Sequence, residues 1–330
     1  MTVAAVGANY LTIAELVKRM GESSARTILE VAKDNNTMLN TSMVSAGNEV
    51  DGNTTVARTD YPTGTWTTAY QGVNSVTSHT KEVRDAAGTL EAYSAIAKRI
   101  VDKAPDKKAA RMQEIKAVSI GMSQEVEETF FLGDKTLEPK EFTGLLPRYD
   151  SLSGETGGQV KDGGGSSTDN TSVWFVTWDP MSCYLFFGKN NAGGLQISDQ
   201  GLIPWDLAGD GTHIQAWVDH IEWNIGLTVA NWKGISRLAN IDVSVLTGGS
   251  PTTLAPLLID TFLKIPSQMA SMRKAIYCND TVYGALWKEA QSQSNNNLTM
   301  ANWEGNEITH FNGIPIHRSD KIGIAESRVT

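Results

Sequence analysis

Apolar residues recur along this chain at two spacings. Between His213 and Asp242 the period is two: Gln215, Trp217, Asp219, Ile221, Trp223 and Ile225 fall on one side of an extended strand, because successive side chains point to opposite faces. Gly226 is expected to break that strand. A second apolar run through Ile235, Leu238 and Ile241 forms an adjoining one. Trp217, Trp223 and Trp232 are large apolar payloads. Further strands are predicted over 173–178, 275–278 and 314–317. After Pro105, which suits a first helical turn, the period becomes helical: Met112, Ile115, Ser119, Met122, Val126 and Phe130 share a face, and Gly133 is a natural stop. A helix of about 27 residues is roughly 40 Å long. Its charged residues over 106–108 and 125–128 are assigned to solvated or intersubunit faces. Other helices are predicted at 24–32, at 254–272 with an interruption near Pro266, and at 280–292. Thr12 and Glu15 form a capping box ahead of Ile13, Leu16 and Val17.

The polar stretches differ in kind. Residues 47–81 are rich in Thr, Gly, Asn, Val and Tyr, with turn signals at Asp51-Gly52-Asn53 and Pro62-Thr63-Gly64. They hold too few large apolar residues for a buried hairpin, so a projecting hairpin that finds its partners elsewhere is predicted. Residues 151–170, with Gly163-Gly164-Gly165 at their heart, read as a flexible excursion, and 291–297 as a polar tip. No period of 20–50 residues recurs, which excludes a solenoid.

Composition narrows the function. The 330 residues are 40% hydrophobic and 20% charged, a globular balance able to bury a core. The net charge of −9 argues against a protein whose task is gripping nucleic acid. Two cysteines, Cys183 and Cys278, make no disulfide framework and read as reduced core residues. No signal peptide and no membrane-spanning run is expected, so the Asn-x-Ser/Thr sequons at Asn40, Asn53, Asn170, Asn279 and Asn297 carry no meaning.

Candidate chemistry is sparse. His220 and Glu222 share a strand face and could ligate a metal, but no third ligand is at hand. Ser271 and Lys274 fit S-x-x-K without its companion elements. No G-x-S-x-G, Walker A loop or H-E-x-x-H occurs. Asp206 and Asp210 flank glycines as in a polar turn. Trp174, Trp178, Trp205, Trp287 and Trp303 could stack sugars or bases, yet tryptophans mostly bury area. The alternative these residues leave open is a carbohydrate-binding or hydrolytic α/β domain. No catalytic, cofactor or metal site is expected.

The wording of several segments is more specific. WNIGLTVANWKGISRLANID (223–242), GTLEAYS (88–94), EFTGLLPRY (141–149), TDNTSVWFVTWDP (168–180), GLQISDQG (194–201), AIYCNDTV (275–282), FNGIPIHRSDKI (311–322) and AES (325–327) resemble, in one order, tailed-phage major capsid proteins of the short-tailed epsilon-fifteen and Bordetella phage type. The resemblance implies a mixed α+β subunit with the Hong Kong 97-type capsid fold. It implies an N-terminal arm (1–46), an extended loop (47–82) and a peripheral domain (83–150, with a spine helix over 105–132, and strands over 208–247). The axial domain takes 151–207 and 248–310, and 311–330 holds the closing strand, grouped with the peripheral domain, and the C-terminus. The implied function is self-assembly into the icosahedral shell that encloses a double-stranded DNA genome, without enzyme activity or cofactor. The implied partners are copies of the chain in hexamers and pentamers, scaffolding, portal and decoration proteins, and packaged DNA. The DNA touches the inner face weakly, with Lys18, Arg19, Arg26 and Lys33 of the arm as candidates. The destination is the virion, after assembly in the bacterial host cytoplasm, with no membrane involved. Pro62, Gly64, Trp66 and Tyr70 are the expected contacts with a neighbour. By the same resemblance Arg237, Asn240 and Asp242 fix the local geometry of the peripheral domain.

Overall fold

The computed structural model describes residues 37–102, 107–205, 213–247, 254–269, 271–291, 298–300 and 308–330. The capping box at Thr12, the 24–32 helix, the basic arm residues, Pro105, Asp206, Asp210, the 292–297 tip and Trp303 lie outside them. In chain order the elements are α1 (Thr37–Thr41), β1 (Val44–Ala46), β2 (Gly52–Arg58), β3 (Thr80–Ala97), α2 (Lys98–Val101), the spine helix α3 (Lys107–Leu132) and α4 (Gly154–Gly157). Then come β4 (Val160–Asp162), β5 (Asn170–Trp178), β6 (Cys183–Phe187), β7 (Leu195–Trp205), β8 (Ile214–Val229), β9 (Ile235–Asp242), α5 (Val243–Thr247) and α6 (Leu254–Phe262). The chain ends with β10 (Arg273–Cys278), α7 (Asp280–Gln291), β11 (Leu298–Met300), β12 (Ile308–Phe311) and β13 (Ile314–Arg318).

The long strand β8 organises one half. It pairs antiparallel with β3 from Ala87↔Gly226 to Ala97↔Ala216. Its other edge is shared by β7 and then β6. Ile221, Trp223 and Ile225 join the core under the spine helix, and Trp217 and Asp219 of the same face meet Arg111 of α3. The predicted face is thus the helix-covered one. Gly226 does not break the strand. A Cβ there would lie 2.6 Å from the Phe186 ring, so glycine makes room for an aromatic packed against the ladder.

β8 and β9 do not pair with each other. β9 lies against β5 and β4, and β5 is held between β9 and β10. β5 is buried along its whole length, and its alternation divides two cores. Trp174, Val176 and Trp178 face the spine-helix core; Val173 and Phe175 face a second core with Leu258 of α6 and Val282 and Leu286 of α7. The 254–272 segment is interrupted near Pro266, as predicted: α6 stops at Phe262 and a 3-10 turn covers Ser267–Met269. The closing strand lies in the same sheet, beyond β10. β13 pairs parallel with β10 and antiparallel with β12, and Ile314 and Ile316 belong to the second core.

The spine helix runs 26 residues, about 39 Å at 1.5 Å per residue. Ile115, Ser119, Met122, Val126 and Phe130 form its buried stripe. Gly133 ends it: the amides of Gly133 and Leu145 take the carbonyls of Thr129 and Phe130 at 2.9 Å, satisfying orphan acceptors of the last turn. Glu127 departs from the expected solvated run. It is buried, and Ser319 donates to it at 2.7 Å. The Gly163-Gly165 stretch is not a free excursion either, since both amides donate at 2.8 Å to the β9 carbonyls of Ala239 and Asn240.

Candidate assembly surface

β2 and β3 form the root of a hairpin, paired from Gly52↔Ala86 to Arg58↔Thr80. Of the two turn signals, the first falls at the edge of a bend that includes Asp51, and the second does not form a turn. Gly52 and Asn53 open β2, the bend precedes them at 48–51, and the tip turn falls at Ala69 and Tyr70, not at Pro62-Thr63-Gly64. Beyond the root, residues 59–79 form no regular element, and every one of them is exposed. Trp66 and Tyr70 are 99% and 104% accessible, and Pro62 and Gly64 stand in the same loop. Aromatics of that size bury area when they have anything to bury it against; among the described residues of one chain these have nothing.

The root is the opposite. Asn53 and Asp85 oppose each other in register and are 3% and 5% exposed. Asn53 Nδ2 donates to Tyr184 Oη at 2.8 Å and Thr228 Oγ1 at 3.0 Å. Arg148 Nη2 donates to Asp85 Oδ1 at 2.8 Å. On the rim, hydrogen bonds from Thr54 and then Arg84 hold the Glu49 carboxyl below its ordinary range.

Arg237, Asn240 and Asp242 lie together on β9, against the segment that ends the chain. Arg237 is 1% exposed. It donates to Ser172 Oγ (3.0 Å), Tyr149 O (2.7 Å) and Glu326 Oε2 (2.8 Å), with its guanidinium 4.9 Å from the Trp174 ring centroid. Burial pulls its pKa below the ordinary arginine value, against the pull of Glu326. Asn240 adopts a left-handed φ of 56°, a conformation asparagine tolerates. Its side chain donates to Asp162 and to Val329 O and accepts from Val329 N–H, all within 2.9 Å. Asp242 Oδ1 caps α5 by accepting from Ser244 Oγ and Val245 N–H. The terminal segment is held elsewhere by Lys321 on Glu128 and by Leu152 N–H on Thr330 O. Asn53, Asp85, Arg148 and Glu326 escaped the sequence reading. The alternation of β3 gives Asp85 no inward signal, since the core-packed Leu90 and Ala92 have the opposite parity, and nothing local pairs it with Arg148.

The remaining candidates do not converge. His220 lies 3.4 Å from Glu91, and Glu222 faces Glu91 across the ladder; among the described residues no cluster of three metal-ligating side chains occurs. Ser271 is exposed, while Lys274 Nζ is buried and donates to Met269 O at 2.5 Å, away from the serine. Trp174 and Trp178 are core residues. Trp205 packs on Tyr93 with ring centroids 5.5 Å apart, and Trp287 packs against the second core. Among the described residues no helix is long and apolar enough to cross a membrane.

A chain in the solved structure of bacteriophage Epsilon15 is similar at 28% identity, with a TM-score of 0.70 over 87% of this chain and 88% of that one. A chain of the bacteriophage JBD30 capsid is similar at 10% identity, with a TM-score of 0.47 over 96% of this chain and 97% of that one. No curated protein matches the chain. Fold and exposed loop together define a shell-building structural subunit of the Hong Kong 97-type, as found in tailed phages. The model of the family described as major capsid protein GP7 matches residues 21–330, and the chain belongs to that family. It is a structural protein and not an enzyme, it assembles with copies of itself into shells, and its place is the virion.

Proposed function

We propose that the 59–79 loop is the part of each copy that a neighbour buries, with Pro62, Gly64, Trp66 and Tyr70 at the contact. Copies joined in this way form the hexamers and pentamers of an icosahedral shell around double-stranded phage DNA. The observation that carries this reading is the full exposure of Trp66 and Tyr70. Each would remove roughly 150–250 Å² from water on docking, at about 25 cal/mol per Å² before ordering costs. Closure multiplies modest contacts, because a subunit held on several sides must break all of them to leave.

The family resemblance supports the rest of the proposal. Scaffolding, portal and decoration proteins are the further partners, assembly takes place in the bacterial host cytoplasm, and packaged DNA meets the inner face weakly through Lys18, Arg19, Arg26 and Lys33. The division into arm (1–46), extended loop (47–82), peripheral domain and axial domain belongs to the same reading. In it Arg237 and Asn240 hold the terminal segment to β9 while Asp242 caps α5, and together they fix the local geometry. The test is to replace residues 60–78 by a short Gly-Ser linker. The variant should keep the near-UV circular dichroism of a packed core and yield no shells by light scattering and negative-stain microscopy. Intact shells of normal size would overturn the reading.

A further inference from the structure

β3 is a single strand with two different partners. Its ladder with β8 ends at Ala87↔Gly226, and from Ala86 onward it pairs with β2 instead. β8 continues past this fork, with Thr228 and Val229 paired to β6 on its other edge. Where β3 peels away, the edge of β8 loses its backbone partner. Buried backbone groups rarely stay unpaired, and here side chains replace the ladder. Asp85 Oδ2 accepts the Val229 N–H at 3.3 Å. Arg148 Nη2, bound to Asp85 Oδ1, also donates to Leu227 O at 3.4 Å and Thr143 O at 3.1 Å, while its Nε donates to Gly144 O at 3.1 Å. On the β2 side Asn53 reaches Thr228 and Tyr184, and its Oδ1 accepts the Asn48 N–H at 3.2 Å.

A two-stranded ribbon that continues only one core strand could pivot about the backbone between Ala86 and Ala87, and an isolated hairpin is marginal by itself. Lys81 on Glu155 and Lys189 N–H on Glu49 O hold the outer end of β3 and the bend before β2, and the fork fixes the base between them. It ties both strands of the ribbon, at directly opposed residues, to the last residues of β8. We infer that Asn53, Asp85 and Arg148 are positioning residues for assembly: they set the direction in which the hairpin leaves the subunit and hence where its exposed loop can meet a neighbour. This rests on the reading of the loop as an intersubunit contact. The three residues touch no neighbour in this account; they act through the loop.

The test separates direction from folding. Spin labels are placed on Tyr70→Cys in the loop and Met181→Cys on the exposed turn between β5 and β6; the native cysteines are buried and stay unlabelled. The label-to-label distance distribution of the unassembled subunit is then compared with that of Asn53→Ala and Asp85→Asn. Both should keep near-UV circular dichroism and widen the distribution at least twofold. Without the labelling substitutions, both should lower shell yield at least tenfold. Asn53→Ala removes no charge and carries the test if Asp85→Asn fails to fold. An unchanged distribution, or a widened one with normal shell yield, overturns the inference. So does loss of the fold in both variants, which would make these groups determinants of folding and not of direction. Shells from the loop-replaced chain would sink the contact reading itself. Shells lost there but normal in Asn53→Ala and Asp85→Asn would sink only the fork.

Discussion

Arg237 and Glu127 are both charged groups placed where water does not reach, and they predict opposite outcomes. Arg237 is surrounded: Ser172, the Tyr149 carbonyl, Glu326 and the face of Trp174 leave its guanidinium nothing to seek. Arg237→Ala would leave Glu326, whose side chain is only 9% exposed, without its cation and with the Ser172 hydroxyl as its remaining donor. A loss of about 3–5 kcal/mol is expected in urea unfolding of the subunit. Arg237→Ala with Glu326→Ala should recover part of that loss; a single variant within about 0.5 kcal/mol of the parent would refute the account. Glu127 accepts a hydrogen bond from Ser319, and burial raises its pKa above the ordinary carboxylate value of 4.5, against the pull of that hydrogen bond and of Lys321. A raised folded-state pKa means the folded chain holds the proton more tightly than the unfolded one. The carboxylate is therefore a cost above its folded pKa, and the cost fades as pH falls toward 4.5. Glu127→Gln should melt higher than the parent at pH 7, with the gap closing below about pH 4.5. A variant that melts lower at pH 7 would show that the charge is needed. The burial of Glu127 was legible, because Ser119, Ser123 and Glu127 repeat at four along the buried stripe; its neighbours Glu125 and Glu128 disguised it as part of a solvated run. Arg237 had no such signal. Its partner lies 89 residues away, and only the resemblance singled it out.

At the scale of elements, period was a better guide than punctuation. The spine helix declared itself by spacing even though its charges oppose it. Its first turn has Lys107 and Lys108 and no acid, and its last turn has no base, the reverse of what the helix dipole favours. Burial of Ile115, Met122, Val126 and Phe130 therefore holds it, as tertiary packing does for most helices. The glycines misled. Gly226 sits inside β8 because Phe186 needs the space, and Gly52 opens a strand, with a Cβ there only 2.9 Å from Asp85 O. A glycine read from sequence signals either a turn or a close approach, and only the packed neighbour decides which. The partners of β13 were not legible for a related reason: a five-residue strand shows its faces but not its partners. The hairpin was legible as a projecting element because its composition cannot make a core. Its fork was not, because side chains from β2, β3 and the turn after the spine helix meet there only in three dimensions.

For the whole molecule, charge and exposed apolar surface act together. Each copy carries a net charge of −9, so approaching copies repel, while Trp66 and Tyr70 gain by leaving water. Salt screens the first effect, with a Debye length of about 10 Å at 0.1 M, and leaves the second nearly untouched. Shell assembly followed by light scattering should therefore quicken as salt rises from roughly 0.01 M, where charges reach about 30 Å, to 0.1 M. Duplex DNA should respond in no such way. Tight nonspecific binding comes from Lys and Arg displacing counterions, and proteins built for it reach ~10⁻⁴–10⁻⁶ M at physiological salt. The unassembled subunit, acidic overall, should bind duplex more weakly than that across the same salt range. Submicromolar binding that collapses with added salt, or assembly that slows as salt rises, would mean that a basic surface drives this protein's contacts. The burial of the loop would then be a consequence of assembly and not its cause.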